Sequence, residues 1–183
     1  MPEPLLHARL ATSDDIPALR ALMAAAIGEL QKPFLSPAQI TSSHAIMGLD
    51  RQLIADQTYF VAVAASGPAN DIVGCGGWSR RATLYGGDQM AGRLATLLDP
   101  RGDAARIRAM YTHPHQVRRG VGRLILARCE EAARGEGFRS VELVATLAGL
   151  PLYLACGYVA GEPMQDERGG VAVPLVGMRK VLG

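Results

Sequence analysis

A change of hydrophobic period in the middle of the chain constrains the fold more than any other feature. Ile107, Ala109 and Tyr111 alternate through residues 106–112, which predicts a strand, and Pro114 closes it because proline cannot continue a ladder. Beyond Gly122 the spacing changes: Val121, Leu124, Ile125, Cys129 and Ala132 recur three or four residues apart, one face of a helix. Strand and helix are joined by Arg118-Arg119-Gly120-Val121-Gly122. A helix start offers backbone N–H groups without internal partners and the positive end of the macrodipole. With glycines that let a ligand approach the backbone and two arginines alongside, the turn suits an anion, above all phosphate. On this stretch alone, a helix start flanked by two solvated arginines fits equally well. A Walker-type loop is excluded, since no Gly-Lys-Ser/Thr is present. A dinucleotide fingerprint is excluded by Ile125, which stands where a small residue is needed for close helix packing.

The segment Val117-Arg118-Arg119-Gly120-Val121-Gly122 resembles the Gln/Arg-x-x-Gly-x-Gly/Ala signature of the GNAT superfamily of acetyl-CoA-dependent N-acetyltransferases. Val117 departs from it at the Gln/Arg position, with Gln116 one residue early. A second block, residues 146–158 with Tyr153 and Gly157-Tyr158, is similar to the family's Asn-Ala-x-x-Phe-Tyr-x-x-x-Gly-Phe, with Ala148 in place of the usual Asn. The resemblance covers nearly the whole chain. It implies a single N-acetyltransferase domain over residues 1–183 of α/β (α+β type) class, a mixed, mostly antiparallel central sheet flanked by helices.

Composition agrees with an ordinary globular protein. Of the 183 residues, 49% are apolar, enough for a substantial core. A net charge of +2 argues for neither nucleic acid nor membrane as a partner. The first eleven residues carry Glu3 and no basic run before an apolar stretch, so no signal peptide is expected, and no apolar run approaches a membrane span. Cys75, Cys129 and Cys156 lie in apolar segments without metal-like spacing, which suggests reduced thiols in a cytoplasmic protein.

Along the chain, residues 7–11 form a first expected strand. Thr12 to Asp15 cap a helix whose buried stripe is Ile16, Leu19, Met23, Ala26, Ile27 and Leu30, and Ser36 caps a second helix running toward Gly48. Strands are expected at 58–65 and 72–78, with a turn cluster at 66–71. Gly74, Gly76 and Gly77 are unusual in a strand and predict a bulge or a close ligand. Residues 80–104 lack a strong pattern, though 90–98 suits a short helix, and a connection this long is usually functional or mobile. Its Arg80, Arg81, Tyr85 and Asp88 are candidates to reach an acceptor, or to form a solvated surface. A strand at 140–145, a short helix at 148–156, a polar turn at 163–170 and a last strand at 171–181 complete the expectation.

The resemblance also assigns chemistry. It places the pyrophosphate of acetyl-CoA on the backbone of Arg118, Arg119, Gly120, Val121, Gly122 and Arg123. The pantetheine arm then pairs like an extra strand with Met110, Tyr111 and Thr112, where the family's sheet splays, and a bulge there aims an N–H at the thioester carbonyl. Tyr153 becomes the general acid for the departing thiolate, in a direct transfer through a tetrahedral intermediate. The amine acceptor is a small molecule or a protein, and the helix pair after the first strand forms one wall of its site. The base is unassigned. Glu142 and the pair His113 and His115 are weak candidates, no metal is expected, and Trp78 fits either the cleft or the core. A homodimer is allowed. Two other readings stay open: an acyltransferase with another acyl chain or acceptor, and a non-catalytic acyl-CoA sensor, against which Tyr153 argues.

Overall fold

The computed structural model describes residues 5–65 and 71–183, so most of the expected 66–71 turn lies outside the described residues. Seven strands form one sheet in the order β1-β2-β3-β4-β5-β7-β6. They are β1 (Leu6–Leu10), β2 (Tyr59–Ala64), β3 (Ile72–Ser79), β4 (Ala105–Thr112), β5 (Ser140–Thr146), β6 (Val159–Asp166) and β7 (Val173–Val181). All neighbouring pairs are antiparallel except β4 with β5. The helices are α1 (Ile16–Leu30), α2 (Pro37–Ser43), α3 (Arg51–Ala55), α4 (Val121–Gly135) and α5 (Leu150–Ala155).

Strand alternation divides the core between the two faces of the sheet. Ala62, Ile107, Val141 and Leu143 pack with Val121, Ile125 and Cys129 of α4. Tyr59, Val61 and Val63 point the other way, onto Leu19, Met23 and Ile27 of α1. Leu35, Ile46 and Leu175 make a third cluster beside β7.

The glycines of β3 have a packing cause. A Cβ at Gly74 would collide with Val121, and one at Gly76 with Met110 and Ile125, so side chains of α4 and β4 occupy the space. Gly76 also stands at an irregularity: the β3–β4 register shifts between Cys75 and Gly77, opposite Ala109, whose φ is +50°. This bulge corrects the expected alternation of β4. Ile107 packs on the α4 side, but the extra residue reverses the faces, so Met110 joins that side and Tyr111 joins the α1 side.

Three other local expectations are revised. Residues 90–98 are not helical. They fold back on residues 80–83 through Ala82 N–H to the Thr96 carbonyl (2.9 Å) and Leu98 N–H to the Arg80 carbonyl (2.8 Å). Gly92 is left-handed at φ +77°, and Leu94 and Leu97 are exposed, so a helix here would have no face to bury. Helix α3, unseen in the sequence pattern, is a single short segment capped by Asp50, which accepts from Gln52 N–H at 3.0 Å. Finally, β6 continues to Asp166, through residues expected to turn. Pro163 is tolerated because β6 is an edge strand and its register shifts between Ala160 and Pro163.

Candidate active site

The parallel pair β4 and β5 is joined only at Ala105 with Val141 and Arg106 with Glu142. Beyond that point β4 pairs with β3 and β5 with β7, so the sheet opens between them. A cleft of about 110 Å³ occupies this opening, with Ala109, Met110, Tyr111 and Tyr153 among its lining residues. The bulge is tied down where it matters: the Tyr59 hydroxyl donates to the Ala109 carbonyl at 2.7 Å, and Tyr111 Oη accepts from Gly48 N–H at 2.8 Å. Both tyrosines are buried, and burial raises both phenols above their ordinary pKa. Thr112 ends β4, paired with Gly74.

Beyond β4, His113 N–H donates to the Val73 carbonyl at 2.9 Å, and a 3-10 turn, Pro114–Gln116, leads to the glycine loop. Arg118 and Gly120 are left-handed, at φ +61° and +81°. Gly120 caps α4, whose first backbone bond runs from Leu124 N–H to the Gly120 carbonyl at 2.9 Å. The N–H groups of Val121, Gly122 and Arg123 therefore precede the helical ladder and remain available to an acceptor. Space in front of Gly120 is open, since a Cβ there would meet nothing within 4 Å. Arg118, Arg119 and Arg123 are exposed around it, while Val121 is buried and anchors the turn. A concave run of N–H groups with exposed guanidinium groups suits a diphosphate.

Helix α5 lies against this turn: a Cβ on Gly122 would come within 2.8 Å of Leu152. Tyr153, the next residue, is buried and faces the cleft, its ring edge-on to Tyr158 at 5.7 Å. Burial raises its phenol well above the ordinary value, so it carries its proton throughout the neutral range. The structure thus brings Met110, Tyr111 and Tyr153 to one cleft and sets the glycine loop beside the helix that carries Tyr153. Two of the three thiols are buried and inert by comparison. Cys75 is buried and pushed up to about 12, and burial also raises Cys129.

Further lining comes from two stretches, of which the sequence singled out only Tyr85 by name. Ile46, Met47 and Gly48 follow α2, and Leu84, Tyr85 and Gly86 come from the 80–104 segment. Arg108 holds the two together. Its guanidinium donates to Asp50 Oδ2 at 2.8 Å, the Thr83 carbonyl at 3.1 Å and the Gly86 carbonyl at 2.6 Å. Burial pushes the Arg108 pKa down, and Asp50 opposes that loss of charge. The other Asp50 oxygen accepts from Arg93 at 2.6 Å, and Arg93 in turn reaches Asp88 at 3.1 Å. An arginine spaced two residues from another within an apolar strand was the only hint of this network.

Of the four acceptor candidates in that segment, three are committed elsewhere. Arg80 pairs with Glu136, Arg81 with Asp56 and Asp88 with Arg51. Only Tyr85 lines the cleft, donating to Asp166 at 2.7 Å. Glu142 is paired with Arg106 and lines a separate groove rather than this one. His113 and His115 sit together, ring centres 5.4 Å apart, but outside the cleft lining. Among the described residues no three His, Cys, Asp or Glu side chains group as a metal site. Trp78 is buried against Phe138 at 6.0 Å and belongs to the core. Among the described residues no helix is long and apolar enough to cross a membrane.

Comparisons place the fold among known ones. A model of the acetyltransferase (GNAT) family matches residues 23–158. Among solved structures, the chain is similar to a GCN5-related N-acetyltransferase from Rhodopseudomonas palustris, at TM-score 0.68 and 20% identity over 100% of this chain and 98% of that one. It is also similar to the PaiA N-acetyltransferase of Thermoplasma acidophilum in complex with coenzyme A, at TM-score 0.65 and 12% identity over 97% and 99%. A third is the ribosomal-protein-alanine N-acetyltransferase of Brucella melitensis, at 0.61 and 17% over 96% and 99%. Likeness at such identities speaks to the fold. Among curated proteins none matches.

Proposed function

The chain belongs to the acetyltransferase (GNAT) family, and from that premise we propose that it moves an acetyl group from acetyl-CoA to an amine. The observation that carries the reading is the opening between β4 and β5, with an anion-ready helix start beside it and a protonated, buried tyrosine inside it. The residues fit the donor. The N–H groups from Arg118 to Arg123 and the open space at Gly120 suit its pyrophosphate, with Arg118, Arg119 and Arg123 adding charge. The free edge of β4 at Met110, Tyr111 and Thr112 suits its amide-bearing arm as an added strand. Structural neighbours whose names include bound coenzyme A or acetyl-CoA support the same assignment.

In this reading the chain's own groups do two things. The bulge at Ala109 turns the N–H of Met110 toward the thioester oxygen, where charge builds as the amine adds, the Tyr111 N–H being directed to Cys75. As the carbon–nitrogen bond forms and the carbon–sulfur bond breaks, Tyr153 gives its proton to the leaving sulfur; the amine's proton leaves to solvent, and one from solvent returns to the Tyr153 phenolate to close the cycle. An ordinary phenol is less acidic than a thiol by roughly 1.5 pKa units. Burial of Tyr153 makes the transfer more uphill, but the thiolate formed in the same cleft is destabilised by the same low polarity. Buried thiols at Cys75 and Cys129 support a cytoplasmic setting, and the exposed edge strand β6 leaves a surface on which a homodimer can form.

Free CoA released from acetyl-CoA in the presence of a panel of amines tests the reading. Amine-dependent release, with the acetyl group recovered on the amine, is the expected result. Tight acetyl-CoA binding with no amine-dependent release would instead make the chain a sensor.

A further inference from the structure

Resting on the transferase reading, we propose that the acceptor is a weakly basic primary amine on an apolar body, one that enters the cleft already neutral. Besides Tyr153 the cleft is lined by Ile46, Met47, Leu84, Val144 and Leu175, side chains that favour an apolar substituent. Among the described residues, the titratable side chains lining the cleft are Tyr85, Arg108, Tyr111 and Tyr153. None of them accepts a proton near neutral pH. Arg108 is a cation already held by Asp50 and two carbonyls. The three phenols are all raised by burial.

The two carboxylates behind the wall are occupied as well. Asp50 accepts from Arg108, Arg93 and Gln52 N–H. Asp166 accepts from Tyr85, from the Arg168 side chain at 3.0 Å and from Arg168 N–H at 2.9 Å. An ammonium in this cleft would meet no carboxylate to pair with and no base to deprotonate it, and it would lose its hydration. Arg108, being committed, also offers no free charge to an acceptor carboxylate. The acceptor must therefore shed its proton in water, and its own basicity sets how much of it can react.

That requirement makes a number. An α-amine of a peptide has a pKa near 7.8 and a lysine ε-amine near 10.4, so at pH 7 the α-amine is neutral roughly 300 times more often. At pH 9 the advantage shrinks to roughly 25-fold. Peptide α-amines and arylamines share the chemistry named here, and the experiment separates these sources.

The test uses the full-length protein, acetyl-CoA and a peptide that begins with leucine and contains one internal lysine. Mass spectrometry counts acetylation at the two amines between pH 7 and 9. Both amines share one enzyme, so ionisation of the protein cancels in their ratio. An α-to-ε preference of a few hundred that falls about tenfold across this range is the expected result. A preference that does not change with pH, or one favouring the ε-amine at pH 7, overturns the proposal. A parallel arm offers an arylamine: transfer to it but not to the peptide supports the same chemistry and assigns the source to a small molecule. If neither acceptor releases CoA while calorimetry still detects acetyl-CoA binding, the transferase reading itself fails. Release that requires only ε-amines leaves that reading standing and sinks this inference alone.

Discussion

Replacing Gly120 with alanine separates backbone strain from ligand approach. Gly120 has φ +81°, a region that costs an L-residue about 1–2 kcal/mol, and its Cβ would meet nothing within 4 Å. Nothing needs to move to admit the methyl, so the loss of stability should equal the strain alone. For a chain of this size that is a fall in Tm of roughly 2–8 °C. The new methyl, however, projects into the space assigned to the diphosphate, and acetyl-CoA affinity should drop by tenfold or more, about 1.4 kcal/mol. Gly92 supplies a matched control: it too is left-handed, at φ +77°, with nothing within 4 Å, but it lies outside the glycine loop. Gly92→Ala should cost similar stability and leave the donor's Kd unchanged. Calorimetric titration of both variants, with thermal unfolding in parallel, decides the matter. Equal Kd values for wild type and a folded Gly120→Ala protein would refute the cradle, since the methyl cannot then lie between backbone and ligand.

Tyr153→Phe keeps the edge-on contact with Tyr158 and should preserve folding and donor affinity while cutting turnover by about 10²-fold or more; wild-type turnover in a chemistry-limited assay would reduce Tyr153 to packing. Asp50→Ala strands the buried Arg108 guanidinium and should destabilise the fold by about 3–5 kcal/mol in denaturant unfolding; a loss under 1 kcal/mol would mean that water reaches Arg108. Asp15 is held below its usual pKa by hydrogen bonds from Arg9, 2.8 Å to each oxygen. Its contribution is therefore complete above the ordinary carboxylate range and lost as pH falls through the folded-state value. Asp15→Asn should thus be less stable than wild type at pH 6, with the gap closing below about pH 4; a gap that does not depend on pH would contradict the ion-pair account.

Residues 106–135 show how far local pattern carries. The change of period between strand and helix was legible because each element buries a face that recurs along its own sequence. Tyr111 was put on the same face as Ile107 for the same reason, and wrongly: the bulge at Ala109 lies in the register with the neighbouring strand, opposite Gly76, which period counting within β4 cannot sense. Arg108 and Asp50 are separated by 58 positions, so no window of sequence joins them. The non-helical 90–98 segment failed for a related reason. Its leucines have helical spacing, but only Leu98 finds the core, while Leu94 and Leu97 stay exposed. Tyr153 reads as one more core aromatic by spacing, and only resemblance to a family motif singled it out.

The network centred on Arg108 has a kinetic consequence. Arg108 directly precedes the bulged residue and grips the 80–104 segment by two of its carbonyls, while Arg93 grips Asp50 from that segment. Swinging the segment away would strip Arg108 of two carbonyl partners and Asp50 of Arg93 at once, so it is a poor candidate for a lid. Substrates should then exchange through a mouth of fixed width, and turnover should not be governed by loop opening. Widening the range of acceptors would require trimming individual side chains such as Leu84 or Tyr85, one at a time, while the frame behind them stays as it is.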